Sequence, residues 1–182
     1  MDDARAILLT GVYGSGKSSV AVEIADLLED GQPPFASIDL DWLSWTNAGG
    51  SGHDDHSLLD RNLAAVVAIY FGAGVRRFVL AGSVPNADAL EGIRTAVGAP
   101  LTVIRLTAPL AVIEERLGTS PHRARSDDLA VAREWLAAGT GAGLEDHVVE
   151  NVGLLRETAR RVLKIAGWLP EHTGEAPADP VE

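Results

Sequence analysis

A segment near the start of the chain has the residue types and spacing of a loop that binds phosphate; it reads GVYGSGKS and runs from Gly11 to Ser18. Glycines at positions 11, 14 and 16 allow backbone turns that a side chain would forbid, so that successive amides can point at phosphate oxygens. Lys17 can reach the β- and γ-phosphates of a nucleotide, and the Ser18 hydroxyl can ligate Mg²⁺. The segment therefore predicts nucleotide binding.

The whole loop is expected to contact the nucleotide. The predicted contacts are Gly11, Tyr13, Gly14, Ser15, Gly16, Lys17, Ser18 and Ser19. The alternative interpretation is a strand-to-helix turn without a ligand, since a chain with 19 glycines can contain this pattern by chance. The flanking sequence favours the phosphate loop, because the apolar run RAILLT precedes it and an amphipathic helix follows it. Lysine occurs elsewhere only as Lys164, which also favours a specific role for Lys17.

Two further carboxylates, Asp39 and Asp41, come at the end of the second apolar run of the chain. In a sheet of parallel strands, ligands bind at the edge where the strands end. Phosphoryl transfer needs a metal that bridges the phosphates and a group that positions the acceptor hydroxyl. Two carboxylates at this spacing could divide these tasks between them.

Apolar runs alternate with amphipathic stretches, and this alternation predicts the elements that position these residues. Predicted strands cover 5–10, 35–40 with its end at Asp39, 77–81, 101–106 and, more weakly, 147–150; predicted helices start at Lys17, near Leu58, at about 87, at 109, at 127 and near Leu155. The order indicates an α/β protein, a three-layer doubly wound P-loop NTPase fold with a five-stranded, mainly parallel sheet and a lid. Irregular stretches at 41–57 and 117–127 are typical of lids or substrate-binding segments.

Length and composition limit the domain organisation and the partners. The 182 residues, 46% of them apolar, fit one domain over 1–169, followed by an acidic, Pro-rich tail over 170–182 that we expect to be disordered. The net charge of −11 argues against a nucleic-acid partner, and no apolar run is long enough for a membrane span. Cysteine is absent and the N-terminus lacks the features of a signal peptide, so we expect a cytoplasmic monomer or homodimer.

Two classes of nucleotide-binding protein are disfavoured by the sequence. Neither lysine begins the Lys-x-Asp part of a guanine-recognition motif, which argues against a common GTPase. The third predicted strand reads RFVLA and ends without the acidic residue that an ATPase motor would show there. Kinases that act on small molecules or nucleotides are the class that remains.

The opening of the chain resembles that of the P-loop small-metabolite kinases, such as shikimate, gluconate, adenylylsulfate and nucleoside monophosphate kinases. The segments that carry this resemblance are GVYGSGKSSVAVEIADLL and SIDLDWL, within about residues 5–42. It implies Mg²⁺-dependent transfer of the γ-phosphate of ATP to a hydroxyl or phosphate of a small molecule. It further implies that Asp39 supports the metal or acts as the base and that Asp41 holds the acceptor. The alternative is that Asp41 caps the next helical segment.

The same resemblance implies a lid of arginines that clamps the phosphates and stabilises the charge that spreads during transfer. Arg116, Arg123 and Arg125 occupy the corresponding part of this chain. Lys17, Asp39, Arg116 and Arg125 are the predicted catalytic residues, and Arg116 is also a predicted nucleotide contact. Salt bridges with neighbouring acidic residues are the alternative role for these arginines.

Other residues are assigned by their place relative to such kinases. Asn151, after the last strand, falls near the expected position of the adenine base, and Arg94 falls where a substrate-binding arginine can lie. Trp42, with Trp45, forms either core packing or an aromatic wall for the substrate. The His53–His56 segment has side chains that can ligate metals, although a solvated loop or a substrate contact fits it better. The Gly82-Ser83 turn either contacts the substrate or is an ordinary tight turn.

A different class of function remains open at this point. The protein could be a nucleotide-binding regulator, or an ATPase without a metabolite acceptor, because the resemblance is only topological beyond residue 42. Within the kinase hypothesis, an antibiotic-inactivating enzyme similar to chloramphenicol kinase is one possible case. The sequence does not identify the acceptor.

Overall fold

The computed structural model describes residues 3–29, 33–46, 55–118 and 126–169. Within these ranges one sheet contains β1 (Arg5–Thr10), β2 (Phe35–Asp39), β3 (Arg77–Ala81), β4 (Leu101–Thr107) and β5 (His147–Glu150). The strands lie in the order β2-β3-β1-β4-β5, and each neighbouring pair is parallel. The predicted doubly wound, five-stranded sheet is thereby confirmed.

Helices cover both faces of the sheet. They are α1 (Lys17–Glu29), α2 (Leu40–Ser44), α3 (Asp55–Gly72), α4 (Ala87–Val97), α5 (Leu110–Gly118), α6 (Ser126–Ala138) and α7 (Leu155–Ile165). Successive side chains of a strand point to opposite faces, and the central strand shows this directly. Leu8 packs in the core shared with α3 and α4, whereas Ile7 and Leu9 pack in the core shared with α1 and α7. The interior of the central strand is therefore apolar on both sides, as is expected for a sheet buried on both faces.

The stretch at 41–57 is more helical than predicted. Leu40–Ser44 forms the short helix α2, and α3 begins at Asp55 rather than near Leu58. The cause is local: the side chain of Asp39 accepts a hydrogen bond from the backbone amide of Asp41 and so caps α2. The prediction that this whole stretch is irregular was therefore wrong for its first residues. Residues 47–54 lie outside the described part of the chain.

The stretch at 117–127 is shorter than predicted, because α5 continues to Gly118 and α6 begins at Ser126. The lid residues Arg123 and Arg125 lie in 119–125, outside the described residues, as does the predicted tail from 170 onward. Among the described helices, none combines the length and the apolar character that a membrane span requires.

Because the sheet is parallel, the carboxyl ends of β1, β2 and β3 meet at one edge. The phosphate loop follows β1, the Asp39–Asp41 pair follows β2, and the Gly82-Ser83 turn follows β3. The turn lies directly under α2, since a Cβ built at Gly82 would come within 2.8 Å of the Leu40 side chain. The fold therefore brings the main chemical groups of the sequence to the edge where doubly wound folds bind ligands.

Candidate functional site

The loop between β1 and α1 has the backbone that phosphate binding requires. Gly11 has a φ of 132° and Gly16 a φ of 96°, in the region that residues with side chains rarely adopt. Both positions also lack space: a Cβ on Gly11 would collide with the carbonyl of Leu106 in β4, and one on Gly16 would collide with the Asn151 side chain. Glycine at these positions is thus required by conformation and by packing.

Lys17 begins α1 and is folded back over the loop. Its side chain is 7% exposed, and its Nζ donates hydrogen bonds to the carbonyls of Gly11 (3.0 Å) and Val12 (3.2 Å). The Nζ also lies 5.3 Å from the centre of the Tyr13 ring. Burial lowers the pKa of Lys17 to about 8, although nearby carboxylates oppose this shift. Keeping the ammonium group charged inside the loop therefore costs free energy, and an anionic ligand would reduce this cost.

Asp39 connects the phosphate loop to α2. The Ser18 hydroxyl donates a 2.6 Å hydrogen bond to its Oδ2, and the Asp41 amide donates a 3.0 Å bond to its Oδ1. The alternative interpretation of Asp41 as a helix cap is therefore wrong, since Asp39 caps α2. A hydroxyl and a carboxylate are oxygen ligands of the kind that Mg²⁺ prefers, and this ion usually takes only one or two from a protein. The donor set at Ser18 and Asp39 thus fits the predicted Mg²⁺ site.

Asp41 lines a cavity of about 120 Å³. The other lining residues are Leu40, Ser44, Leu59, Ser83, Ala89 and Ile93. Partial burial raises the pKa of Asp41 although part of its side chain reaches solvent; the charge of Lys17 opposes the shift, and the charges of Asp39 and Asp128 add to it. The structure thus brings two predicted groups together: the carboxylate that follows β2 and the turn that follows β3.

Trp42 and Trp45 belong to the same short segment and lie on its surface. Their rings stack with centres 5.0 Å apart, and the side chains are 70% and 71% exposed. Exposed tryptophan of this extent is unusual, because this residue is mostly buried in folded proteins. Of the two interpretations left open by the sequence, core packing is wrong, and an aromatic surface beside the Asp41 cavity remains.

Arg116, near the end of α5, donates hydrogen bonds to the phosphate loop and to the residue after β5. Its Nη1 donates to the Gly14 carbonyl (3.2 Å) and its Nη2 to the Asn151 carbonyl (2.8 Å). The Asn151 side chain is fully buried; its Nδ2 donates to the Ser15 carbonyl at 2.9 Å, and its Oδ1 accepts from the Thr158 hydroxyl at 3.0 Å. A contact between Asn151 and adenine stays a prediction, whereas its contact with the loop backbone is direct.

Some predicted residues are not brought to this site. Arg94 donates to the carbonyl of Leu101, where β4 begins, and that is the opposite edge of the sheet. The predicted substrate role of Arg94 therefore has no support from its position. Arg123, Arg125 and His53 lie outside the described residues, so their predicted roles stay predictions.

Two residues of the site were missed by the sequence interpretation. Thr158 has no recognisable signal, because a threonine within a helix is unremarkable until Asn151 is seen beside it. Asp128, in the first turn of α6, was treated as a salt-bridge partner, yet its charge acts on Lys17, Tyr13 and Asp41. Its position follows from packing: Leu129, Ala132 and Trp135 of α6 pack against Val12 and Tyr13 in one cluster with α5.

No family model matches the sequence, and no curated protein matches it. Solved structures do match over most of its length. A sugar kinase from Janibacter sp. HTCC2649 is 20% identical with a TM-score of 0.67, over 92% of this chain and 96% of that one. A gluconokinase from Sinorhizobium meliloti 1021 is 24% identical with a TM-score of 0.59, over 90% and 92%. The APS kinase of Mycobacterium tuberculosis, solved with AMPPNP and APS, is 20% identical with a TM-score of 0.57, over 92% and 99%. The chain therefore has the fold that these P-loop small-molecule kinases share.

Proposed function

We propose that this protein is an ATP-dependent kinase that transfers the γ-phosphate of ATP to a small-molecule acceptor and requires Mg²⁺. The observation that carries the proposal is the hydrogen bond between Ser18 and Asp39. It joins Ser18 and Asp39, the two residues that we propose as metal ligands, at the end of the phosphate loop, and Asp41 lines a cavity nearby. The fold supports the same assignment, because structures with this fold include a sugar kinase, a gluconokinase and an APS kinase.

The phosphate loop binds and orients the nucleotide in this proposal. Backbone amides around Gly14 and Gly16 donate to the β- and γ-phosphates, and the amino end of α1 adds its dipole. The ammonium of Lys17 exchanges its contacts with loop carbonyls for contacts with phosphate oxygens. Arg116 holds the loop backbone and adds positive charge on the same side. Mg²⁺ held by Ser18 and Asp39 would neutralise charge on the phosphates.

The acceptor occupies the cavity beside Asp41. Both oxygens of Asp39 already accept hydrogen bonds, from Ser18 and from the Asp41 amide. Among the described residues, no donor lies on the carboxylate of Asp41, which is therefore the group available to an acceptor hydroxyl. The acceptor oxygen forms a bond to the γ-phosphorus while the bond to the β–γ bridging oxygen breaks. ADP leaves, and the hydroxyl proton passes to Asp41.

Acceptor-dependent formation of ADP tests this function. Purified protein is incubated with ATP, Mg²⁺ and a broad panel of sugars, polyols, nucleosides, sugar acids and antibiotics. We expect at least one compound to accelerate ADP release and to gain a phosphate detectable by mass spectrometry. The Lys17→Ala variant controls for contaminating kinases. Tight ATP binding without stimulation by any compound would instead favour a nucleotide-binding regulator or an ATPase without a metabolite acceptor.

A further inference from the structure

We propose that the acceptor is an uncharged hydroxyl compound with a flat or apolar part, rather than an acid or a phosphate ester. This inference rests on the proposed kinase function and specifies the class of its substrate. It is drawn from three properties of the acceptor side of the site: the polarity of the cavity lining, the charges around it and the aromatic surface beside it.

The lining of the cavity matches a hydroxyl compound. Its polar groups are the carboxylate of Asp41 and the hydroxyls of Ser44 and Ser83. A carboxylate accepts hydrogen bonds and a serine hydroxyl can donate or accept, so the set fits the hydroxyl groups of an alcohol. The remaining lining is aliphatic, from Leu40, Leu59, Ala89 and Ile93. Among the described residues, no arginine or lysine lines this cavity.

The charges around the cavity oppose an anionic acceptor. Asp41 lines it; the charges of Asp39 and Asp128 act on Asp41, and the charge of Lys17 opposes them. Among the described residues, Lys17 and Arg116 contact the phosphate loop: Lys17 donates to the Gly11 and Val12 carbonyls, and Arg116 donates to that of Gly14. Under the proposed function, the phosphates of ATP engage Lys17. A carboxylate or phosphate on the acceptor would thus meet like charge without a compensating cation from the described wall. Like charges at short range in a partly buried site are strongly unfavourable.

Two arginines elsewhere in the fold are not positioned to correct this balance. Arg94 is bonded to the Leu101 carbonyl at the opposite edge of the sheet. Arg105 is paired with Glu145 at 2.8 Å. Neither can reach the acceptor without breaking these contacts.

The aromatic surface formed by Trp42 and Trp45 is the reason to expect a flat or apolar part on the acceptor. A cavity of about 120 Å³ accommodates the end of the acceptor that carries the reactive hydroxyl, and the remainder must extend outside it. Trp42 and Trp45 are stacked and exposed on the segment that also provides Asp41 and Ser44. Aromatic rings of this kind bury the flat faces of sugars and heterocycles. A compound with a hydroxyl at one end and such a face beyond it would use both surfaces.

The reaction balances without a further reagent. The acceptor hydroxyl oxygen bonds to the γ-phosphorus, the bond to the β–γ bridging oxygen breaks, and ADP leaves with the electrons of that bond. The hydroxyl proton passes to the Asp41 carboxylate and then to solvent. The product is a phosphate monoester, and it is the first anionic group on the acceptor.

The test compares neutral compounds with their acidic or phosphorylated derivatives. Matched sets are glucose, gluconate and glucose 6-phosphate, then uridine and uridine monophosphate, then a neutral phenolic glycoside and its glucuronide. ADP release is measured with the full-length protein, ATP and Mg²⁺. In any set with a compound that the protein phosphorylates, we expect kcat/KM to be at least about tenfold higher for the neutral compound than for its anionic partner. A preference for the acid or the phosphate ester overturns the inference while leaving the kinase function intact. If no member of any charge class is phosphorylated although ATP binds, the kinase function fails and the inference fails with it.

Three variants test whether the acceptor binds in this cavity. Ser44→Ala removes one lining hydroxyl, and we expect it to raise KM for the neutral acceptor several-fold while KM for ATP stays constant. Ser37→Ala is the matched control, because Ser37 is an exposed residue of β2 that does not line the cavity. Ala89→Lys adds a cation to the wall, and we expect it to shift the kcat/KM ratio toward the anionic member of each set. An unchanged ratio in this variant, with the protein folded by circular dichroism, would contradict an acceptor site in this cavity.

Discussion

The hydroxyl of Ser18 donates a 2.6 Å hydrogen bond to Oδ2 of Asp39, 21 residues further along the chain. Ser18 lies in the first turn of α1, after β1, and Asp39 is the last residue of β2. These two strands are not neighbours, because β3 lies between them in the sheet. The bond therefore joins two oxygen-bearing side chains across the edge of the sheet. Under the proposed function, a metal that binds there would find both side chains already next to each other.

Replacement of Asp39 by Asn should separate chemistry from nucleotide binding. The amide keeps an oxygen that can cap α2 but loses the negative charge offered to Mg²⁺. We expect Asp39→Asn to lower kcat by about two to three orders of magnitude, the size typical of losing a major electrostatic group of an active site. Affinity for ADP without metal, measured by calorimetry, should change by less than about threefold.

The control for this variant is Asp88→Asn, which changes an exposed carboxylate in the first turn of α4. It should leave both kcat and ADP affinity unchanged. Unaltered turnover in Asp39→Asn would show that Asp39 is not a metal ligand in the working enzyme.

The parts of the site that are local in the sequence were predictable, and the parts formed by distant residues were not. The phosphate loop is a run of eight residues whose glycines, lysine and serine each have a physical reason. Asp39 was predictable because it ends an apolar strand beside that loop. Its role as the cap of α2 was not predicted: capping was considered only for Asp41, as the alternative to acceptor binding, and only the backbone geometry distinguishes the two aspartates.

The side chains that hold the phosphate loop in place could not be predicted from the sequence. Asn151 contacts the carbonyl of Ser15, 136 residues away, and no local pattern announces such a pair. Arg94 is a wrong prediction of the opposite kind. Its place along the chain predicted a substrate contact, but its side chain donates to the Leu101 carbonyl at the other edge of the sheet. Sequence patterns thus identified the strands and their ends, whereas side-chain direction required the packed helices.

Asn151 should be important for stability as well as for the loop. In Asn151→Ala the buried Thr158 hydroxyl loses its acceptor, and the Ser15 carbonyl keeps only a long 3.5 Å hydrogen bond from Arg116 Nη1. An unsatisfied buried polar group costs about 1–3 kcal/mol, and we expect the free energy of unfolding in urea to fall by at least this amount. The matched variant Thr158→Ser keeps a hydroxyl next to Asn151 and should cost less. Equal losses in the two variants would indicate that packing, not hydrogen bonding, dominates here.

Gly16 should not tolerate even one methyl group. Its φ of 96° is strained for alanine, and the added Cβ would displace the Asn151 side chain from the loop. We expect Gly16→Ala to weaken ATP binding by at least about 100-fold, measured by calorimetry. Gly118→Ala is the matched control, because a Cβ at Gly118 meets no atom of the described residues within 4 Å. Comparable ATP affinity in the two variants would contradict the phosphate-loop geometry.

The lowered pKa of Lys17 should give ATP binding a particular dependence on pH. Without nucleotide, the ammonium group has lost its proton in half of the molecules at about pH 8, whereas bound phosphates favour the charged form. Above this pH the neutral lysine must take up a proton when ATP binds. The apparent Kd should therefore be flat below about pH 8 and rise by up to about tenfold per pH unit above it. The phenol of Tyr13 does not add a titration in this range, because burial raises its pKa above the ordinary value of 10.0.

The stability of the ligand-free protein should change in the opposite direction over the same pH range. Between about pH 8 and the ordinary lysine pKa of 10.5, the unfolded chain binds the Lys17 proton and the folded protein does not. The contribution of Lys17 to the free energy of unfolding therefore increases with pH in this window, because the cost of burying its charge disappears. Lys17→Met lacks this titration, so the difference in unfolding free energy between wild type and variant, measured in urea at several pH values, isolates it. A difference that does not vary with pH, or an ATP affinity that stays constant up to pH 10, would show that Lys17 keeps its proton in the folded protein.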